Sequence, residues 1–219
     1  MSEESTPSAP TAYPARLEVD YTVEHNRVTT LFRLVLVIPI AIVYGVLTAG
    51  ATTTKTYHEA GVTVTTTSGG IVSGLFLATL LMILFRQRYP RWWFDFAREL
   101  TRFATRIGAY FVLLTDEYPS TVEEQKVHLD IDYPAVEHDL NRWLPLVKWF
   151  LAIPHYIVLF FLAIAAFFVV IFSWFAVLFT GHYPRGMFDF VVGVGRWGLR
   201  VNAYAFLLVT DRYPPFSLN

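Results

Sequence analysis

The sequence predicts a mainly α, integral membrane protein built from two parallel repeats. Each repeat is a short β-strand, a transmembrane helical hairpin and a cytoplasmic, interfacial amphipathic helix, which gives four transmembrane helices. Three observations carry this reading. Of 219 residues, 54% are hydrophobic and only 16% charged, against roughly 25% charged in an ordinary soluble domain. The stretch "RYPRWWFDF" at residues 88–96 returns as "HYPRGMFDF" at 182–190, each time after an apolar run and before an arginine-studded one. From Trp149 to Gly181, 33 residues pass without a formal charge.

The repeat runs in order along the chain. Leu17-Glu18-Val19-Asp20-Tyr21 matches Leu129-Asp130-Ile131-Asp132-Tyr133, and Val23-Glu24-His25 matches Val136-Glu137-His138. Asn26-Arg27 matches Asn141-Arg142, and Ile38-Pro39 matches Ile153-Pro154. After the YP motif come Arg102/Arg196, Arg106/Arg200, Ala109-Tyr110/Ala203-Tyr204, Thr115-Asp116/Thr210-Asp211 and Tyr118-Pro119/Tyr213-Pro214. Repeat 1 therefore occupies 13–120 and repeat 2 occupies 127–219, with a linker at 121–126. Residues 1–12 are Ser/Pro-rich and acidic, lack any signal-peptide pattern, and read as a disordered tail.

"RLEVDY" and "HLDIDY" alternate apolar and polar residues, as short strands do, and their kinship suggests that they pair. The next segments, 27–49 and 70–85 in the first half, are apolar enough for lipid. In the second half a single helix over 149–181 would be near 50 Å at about 1.5 Å per residue, beyond a hydrocarbon core of roughly 30 Å. Two short helices with a tight turn are expected there, kinked at Pro154 as the first pair is at Pro39. Pro39 and Pro90 are 51 positions apart, but Pro154 and Pro184 only 30. The extra residues, about 50–70, are Thr-rich with an Ala-Gly turn and read as a β-hairpin or ordered loop. Arg27, Arg33, Arg86, Arg88, Arg91, Arg142, Lys148 and Arg185 gather at the hairpin bases, while the loop has only Lys55. By the positive-inside bias, the chain is a multi-pass protein of the cell inner (plasma) membrane with both termini cytoplasmic and an extracytoplasmic Thr-rich loop.

Pro90 and Pro184 suit the first turn of a helix. In the helix that follows Pro90, Trp93, Phe96, Leu100, Phe103, Ile107, Tyr110 and Leu114 form an apolar stripe, with charges opposite, as in a helix lying in the interface. Trp92, Trp93, Trp197, Tyr110 and Tyr204 are the expected interfacial anchors. The second copy has a thinner polar face and carries Gly193, Gly195 and Gly198, where another helix could approach closely. A rival arrangement has these helices cross too, as three-plus-three inverted repeats, but it would put Arg98, Glu99, Arg102 and Arg106 in hydrocarbon at a few kcal/mol each. Asp95/Asp189, Arg102/Arg196 and Arg106/Arg200 persist between the halves, an Asp-Arg-Arg line that could bind lipid headgroups or an acidic partner. The alternative is an ion pair fixing each helix to the hairpin base or the preceding strand.

Chemistry is sparse. Cysteine is absent, which excludes disulfides and thiolate sites, and the net charge of −1 gives no field to draw nucleic acid. No phosphate loop, dinucleotide fingerprint or nucleophile elbow occurs, so no cofactor or catalytic residue is assigned. The histidines lack metal-ligand spacing, so no metal site is assigned. His155, inside an apolar segment, is a possible intramembrane polar site, with a helix–helix hydrogen bond as the simpler role. Asp116 and Asp211 read as turn formers.

"YPARLEVDY", "LAIPHYIVLF" and "WFAVLFTGHYPRGMFDFVVGVGRWGLRVNAYAFLLVTDRYPPFSL" resemble the prokaryotic integral-membrane family catalogued as domain of unknown function 4389. The second half carries the family's pattern most closely, and the first looks like a diverged copy with "FRQRYPRWWFDF" and "DEYPS". The resemblance implies a membrane fold and supplies no catalytic residues. The functional expectation is a non-enzymatic scaffold, accessory subunit or lipid-organising protein, with membrane lipids as partners and a homo-oligomer or complex subunit as its state. Alternatives are an oligomeric channel or small-solute transporter and a lipid-modifying enzyme.

Overall fold

The computed structural model describes residues 13–50, 52–57, 62–67 and 70–219. The expected disordered tail at 1–12 and the Ala60-Gly61 turn lie outside them. In chain order the elements are β1 (Ala15–Val19), α1 (Arg27–Thr48), β2 (Thr52–Tyr57), β3 (Val62–Thr67) and α2 (Ile71–Leu81, prolonged by a π-helical turn over Met82–Arg86). Then come α3 (Arg91–Phe111), β4 (Val127–Ile131), the short α4 (Val136–Asp139), α5 (Pro145–Leu151), α6 (Ile153–Thr180) and α7 (Arg185–Ala205).

Local chemistry explains the boundaries. Asn26 caps α1, its side-chain oxygen accepting from the N–H groups of Val28 and Thr29 at 2.9 and 3.3 Å, the usual way of satisfying orphan donors at a helix start. Pro90 and Pro184 immediately precede α3 and α7. The turn into α7 uses Gly181 at φ 80°, and the matching turn into α3 uses Gln87 at φ 47°. A left-handed residue is cheap for glycine and costly for a residue with a Cβ. The Thr-rich insertion forms the β2–β3 antiparallel pair, with Thr52 opposite Thr67.

Strands β1 and β4 pair antiparallel with Leu17 opposite Leu129, Ala15 opposite Ile131 and Val19 opposite Val127. Their apolar residues point inward, while Glu18, His128, Asp130 and Asp132 are exposed. Below this sheet lie α3 and α7, with α7 against β1 and α3 against β4. Beyond them, α1, α2 and α6 form an outer layer. The main core joins Leu17, Leu129, Phe94, Phe188, Tyr89 and Tyr183 across these layers.

Two helices, α1 and α6, are long and apolar enough to cross a membrane. Only 17% and 6% of their most apolar stretches are buried within the chain. The tight turn expected within 149–181 is absent: α5 ends at Leu151, and α6 runs unbroken for 28 residues. Between His155 and Thr180 the sequence offers no Gly, Pro, Asn or Asp, so a buried turn there would strand backbone polar groups. Pro154 consequently sits in the first turn of α6 rather than at a kink. The first half is no antiparallel hairpin either. Tyr44 of α1 packs on Phe103, and Thr79 of α2 accepts from Trp93 at 2.9 Å. Thus α1 and then α2 run in one sense past α3, with the β2–β3 excursion between them.

Candidate functional site

A partly open, apolar cleft of about 630 Å³ lies between α3 and α7. Ala97, Thr101, Ala104 and Gly108 line one wall, and Val191, Gly195, Gly198 and Asn202 line the other. These are matching positions of the two YP helices, and their four- and three-residue steps put each set on one helix face. Leu17 and Val19 of β1 close one side, while Phe76 of α2 and Ala166 of α6 flank the other. No charged residue lines it.

Small residues often let helices touch; here they leave a gap. A Cβ added at Gly108 or Gly198 would meet no atom within 4 Å. Gly195 instead admits strand β1, its added Cβ lying 3.3 Å from Leu17 Cδ2, and Gly193 admits the C-terminal segment at 2.9 Å from Leu218 Cβ. Thr101 and Thr105 spend their hydroxyls on the carbonyls of Ala97 and Thr101, both at 2.8 Å. The Asn202 side-chain amide makes no hydrogen bond to another described residue. It is the one amide among the cleft's lining residues.

The Asp-Arg-Arg lines resolve into separate contacts. Arg102 donates to the Leu129 carbonyl at 3.1 Å and pairs with Glu99 at 2.6 Å. Its counterpart Arg196 donates to the Leu17 carbonyl at 3.1 Å and to Leu218 at 3.3 Å. Each thus ties its helix to the other half's strand. Arg106 donates to the Ser120 carbonyl at 2.6 Å, and Arg200 to Ser217 and Asn219 at 3.0 and 2.6 Å. Burial, reinforced by the neighbouring Arg102 and Arg196, holds both guanidinium groups below their ordinary range. Asp95 joins neither Arg102 nor Arg106; it pairs with Arg98 at 3.2 Å, and Asp189 pairs with Arg185 at 3.1 Å.

Of the expected anchors, Trp92 is exposed, whereas Trp197, Tyr110 and Tyr204 are buried among helices. Trp93 is half-buried and donates to Thr79. Trp197 donates to His155 Nδ1 at 3.0 Å, the ring of Phe216 stacks on His155 at 4.0 Å, and His155 is fully buried. His155 and its helix are thereby joined to α7 and to the segment after it.

Two buried cation sites went unread in the sequence. Arg33, 2% exposed, pairs with Asp116 and donates to the carbonyls of Tyr110 and Thr115 at 2.7 and 2.6 Å. Lys148, 0% exposed, pairs with Asp211 at 2.7 Å and donates to the Thr210 carbonyl at 2.7 Å. Asp116 and Asp211 each also accept the N–H of the matching asparagine, Asn26 at 2.8 Å and Asn141 at 2.5 Å. Burial alone would raise the Asp116 carboxyl. The His25 ring 3.2 Å away, the hydrogen bond from the Asn26 N–H and the Arg33 guanidinium outweigh it and hold that group down at about 2. A signal existed: the repeat alignment keeps a cation at 33/148 and a Thr-Asp at 115–116/210–211.

Among the described residues, no three His, Asp or Glu side chains gather into a metal-binding cluster. No curated protein and no solved structure matches the chain. Residues 143–217, which hold α5, α6, α7 and the closing segment, match the family model described as a domain of unknown function (DUF4389), in one copy.

Proposed function

We propose that the protein is a non-enzymatic membrane protein that organises lipid by holding an acyl chain in the cleft between α3 and α7. The cleft itself carries this reading. Its volume of about 630 Å³ falls in the range of roughly 300–1,000 Å³ usual for small-molecule pockets. Its walls are apolar, and the one amide suits an ester carbonyl or hydroxyl better than a charge. A path for ions would need charged or carbonyl-rich walls.

The two-repeat architecture belongs to the same proposal. Leu17 faces Leu129 across the strand pair, and Tyr21 donates to the Tyr183 carbonyl as Tyr133 does to that of Tyr89. Each half lends its strand to the other, so the cleft forms on the axis between them. The membrane is the cell inner membrane, with the β1–β4 sheet and both termini on the cytoplasmic side. A homo-oligomer or a subunit of a membrane complex is its state in this reading.

Native mass spectrometry of protein taken from cell membranes tests the lipid reading. Wild-type protein should retain a phospholipid-mass adduct, and a Gly108→Leu/Gly198→Leu variant, which fills the cleft, should lose it while eluting as wild type. An adduct of unchanged occupancy in the filled variant would refute the cleft as the site.

A further inference from the structure

We propose that the protein does not cross the bilayer but is embedded in one leaflet, with α1, α2 and α6 lying along the membrane and the β1–β4 sheet facing water. This rests on the membrane reading alone and is independent of what fills the cleft.

The β1–β4 sheet is charged on its outer side. Its outward face carries Arg16, Glu18, His128, Asp130 and Asp132, with Arg16 paired to Asp132 at 2.7 Å and His128 to Asp20 at 3.2 Å. A row of charges on a two-stranded sheet does not belong in hydrocarbon, where each would cost several kcal/mol. Directly beneath, Leu17 rests on Gly195, the midpoint of the 21-residue α7, and Arg196 donates to the Leu17 carbonyl. A helix of that length is about 31 Å long. Were α7 to run along the membrane normal, its midpoint, and the charged sheet with it, would lie near the bilayer centre. So α7 lies along the membrane.

Helix α6 follows α7 along its length, in the opposite sense. His155 meets Trp197, Tyr156 meets Phe206 and Ser173 meets Met187. Therefore α6 lies along the membrane as well, although its length would allow it to cross. Its far side presents Phe160, Phe161, Phe167, Phe168 and Phe172, each more than half exposed. Helix α1 presents Leu34, Val35, Ile42 and Val46 in the same way. The chain is thus polar on its sheet face and apolar on its outer-helix face, the division expected of a protein set about 5–10 Å into an interface. Arg86 and Arg88, at the end of α2, are exposed, and their side chains make no hydrogen bond or ion pair to another described residue. Beside them Trp92 is 69% exposed, so this rim suits lipid phosphates.

The absence of cysteine makes single-cysteine reporters straightforward. Arg142→Cys precedes α5 and α6, His182→Cys follows α6, and Ala165→Cys sits on the exposed side at its middle. In sealed, right-side-defined vesicles of phosphatidylglycerol and phosphatidylcholine, a membrane-impermeant maleimide should reach Arg142→Cys and His182→Cys from the same side. A spin label on Ala165→Cys should report hydrocarbon within one leaflet. Labelling of the two end positions from opposite sides would overturn the proposal, because α6 would then cross. Labelling of Ala165→Cys from the far side would overturn it too, because the outer layer would then reach through. Variants are compared only where elution and lipid adducts match wild type, so a failure of cleft binding is read separately.

Discussion

Lys148, in the short α5 that leads into α6, is ion-paired at 2.7 Å with Asp211 of the closing Thr-Asp motif; the first half sets Arg33 of α1 against Asp116 in the matching place. These pairs fasten the beginning of each long helix to the end of its YP helix. Removing one partner of a buried pair leaves an uncompensated charge, at a cost of about 3–5 kcal/mol. Lys148→Ala and Asp211→Ala should each lower the melting temperature in detergent sharply. Lys148→Met/Asp211→Leu together should cost less than either, which a double-mutant cycle would read out.

Acid should act first through Asp116. Its carboxyl is held down at about 2 in the folded chain, against about 3.9 unfolded. The sign follows from linkage: a depressed folded value contributes stability that is complete above the unfolded value and is lost as pH falls toward the folded one. The loss should span about pH 4 to pH 2, and Asp116→Asn, less stable at neutral pH, should show a flatter acid limb. Melting temperature against pH decides this.

Arg102 and Arg196 spend donors on the carbonyls of Leu129 and Leu17. Arg102→Ala and Arg196→Ala should each cost about 1–2 kcal/mol and leave the selectivity for lipid headgroups unchanged. Native mass spectrometry with mixed lipids checks the second half of that expectation. A shift away from anionic lipids would reinstate these arginines as headgroup ligands.

The matching turns at Gly181 and Gln87 should respond oppositely. Both have positive φ. Gly181→Ala should cost about 1–2 kcal/mol, with the Arg27 guanidinium nearest the added Cβ at 3.5 Å. Gln87→Gly should raise thermal stability, because it removes the left-handed strain at little local cost.

Much of the fold is legible in the residues. The alternation in "RLEVDY" and "HLDIDY" leads to the β1–β4 pair, Pro90 and Pro184 mark the starts of α3 and α7, and the Thr-rich insertion becomes β2–β3. The long outer helices were harder to read, because helix length and turn chemistry point in opposite directions over 149–181. Length favours a turn, but 155–180 holds no Gly, Pro, Asn or Asp to make one, so the missing turn residues decide. The cleft is partly legible: Gly195 and Gly198 announce close approach, yet only the fold separates the one that receives Leu17 from the one left open. The cation pairs join residues as far apart as Arg33 and Asp116, a distance that periodicity does not reach.

An acyl chain between α3 and α7 can be caught in place by photocrosslinking. A phospholipid with a diazirine at the end of one acyl chain would be activated in membranes and the adducts mapped by peptide mass spectrometry. Adducts should concentrate on the cleft-facing positions Ala97, Thr101, Ala104, Gly195, Gly198 and Asn202. Adducts confined to the outward phenylalanines of α6, such as Phe160 and Phe168, would contradict it.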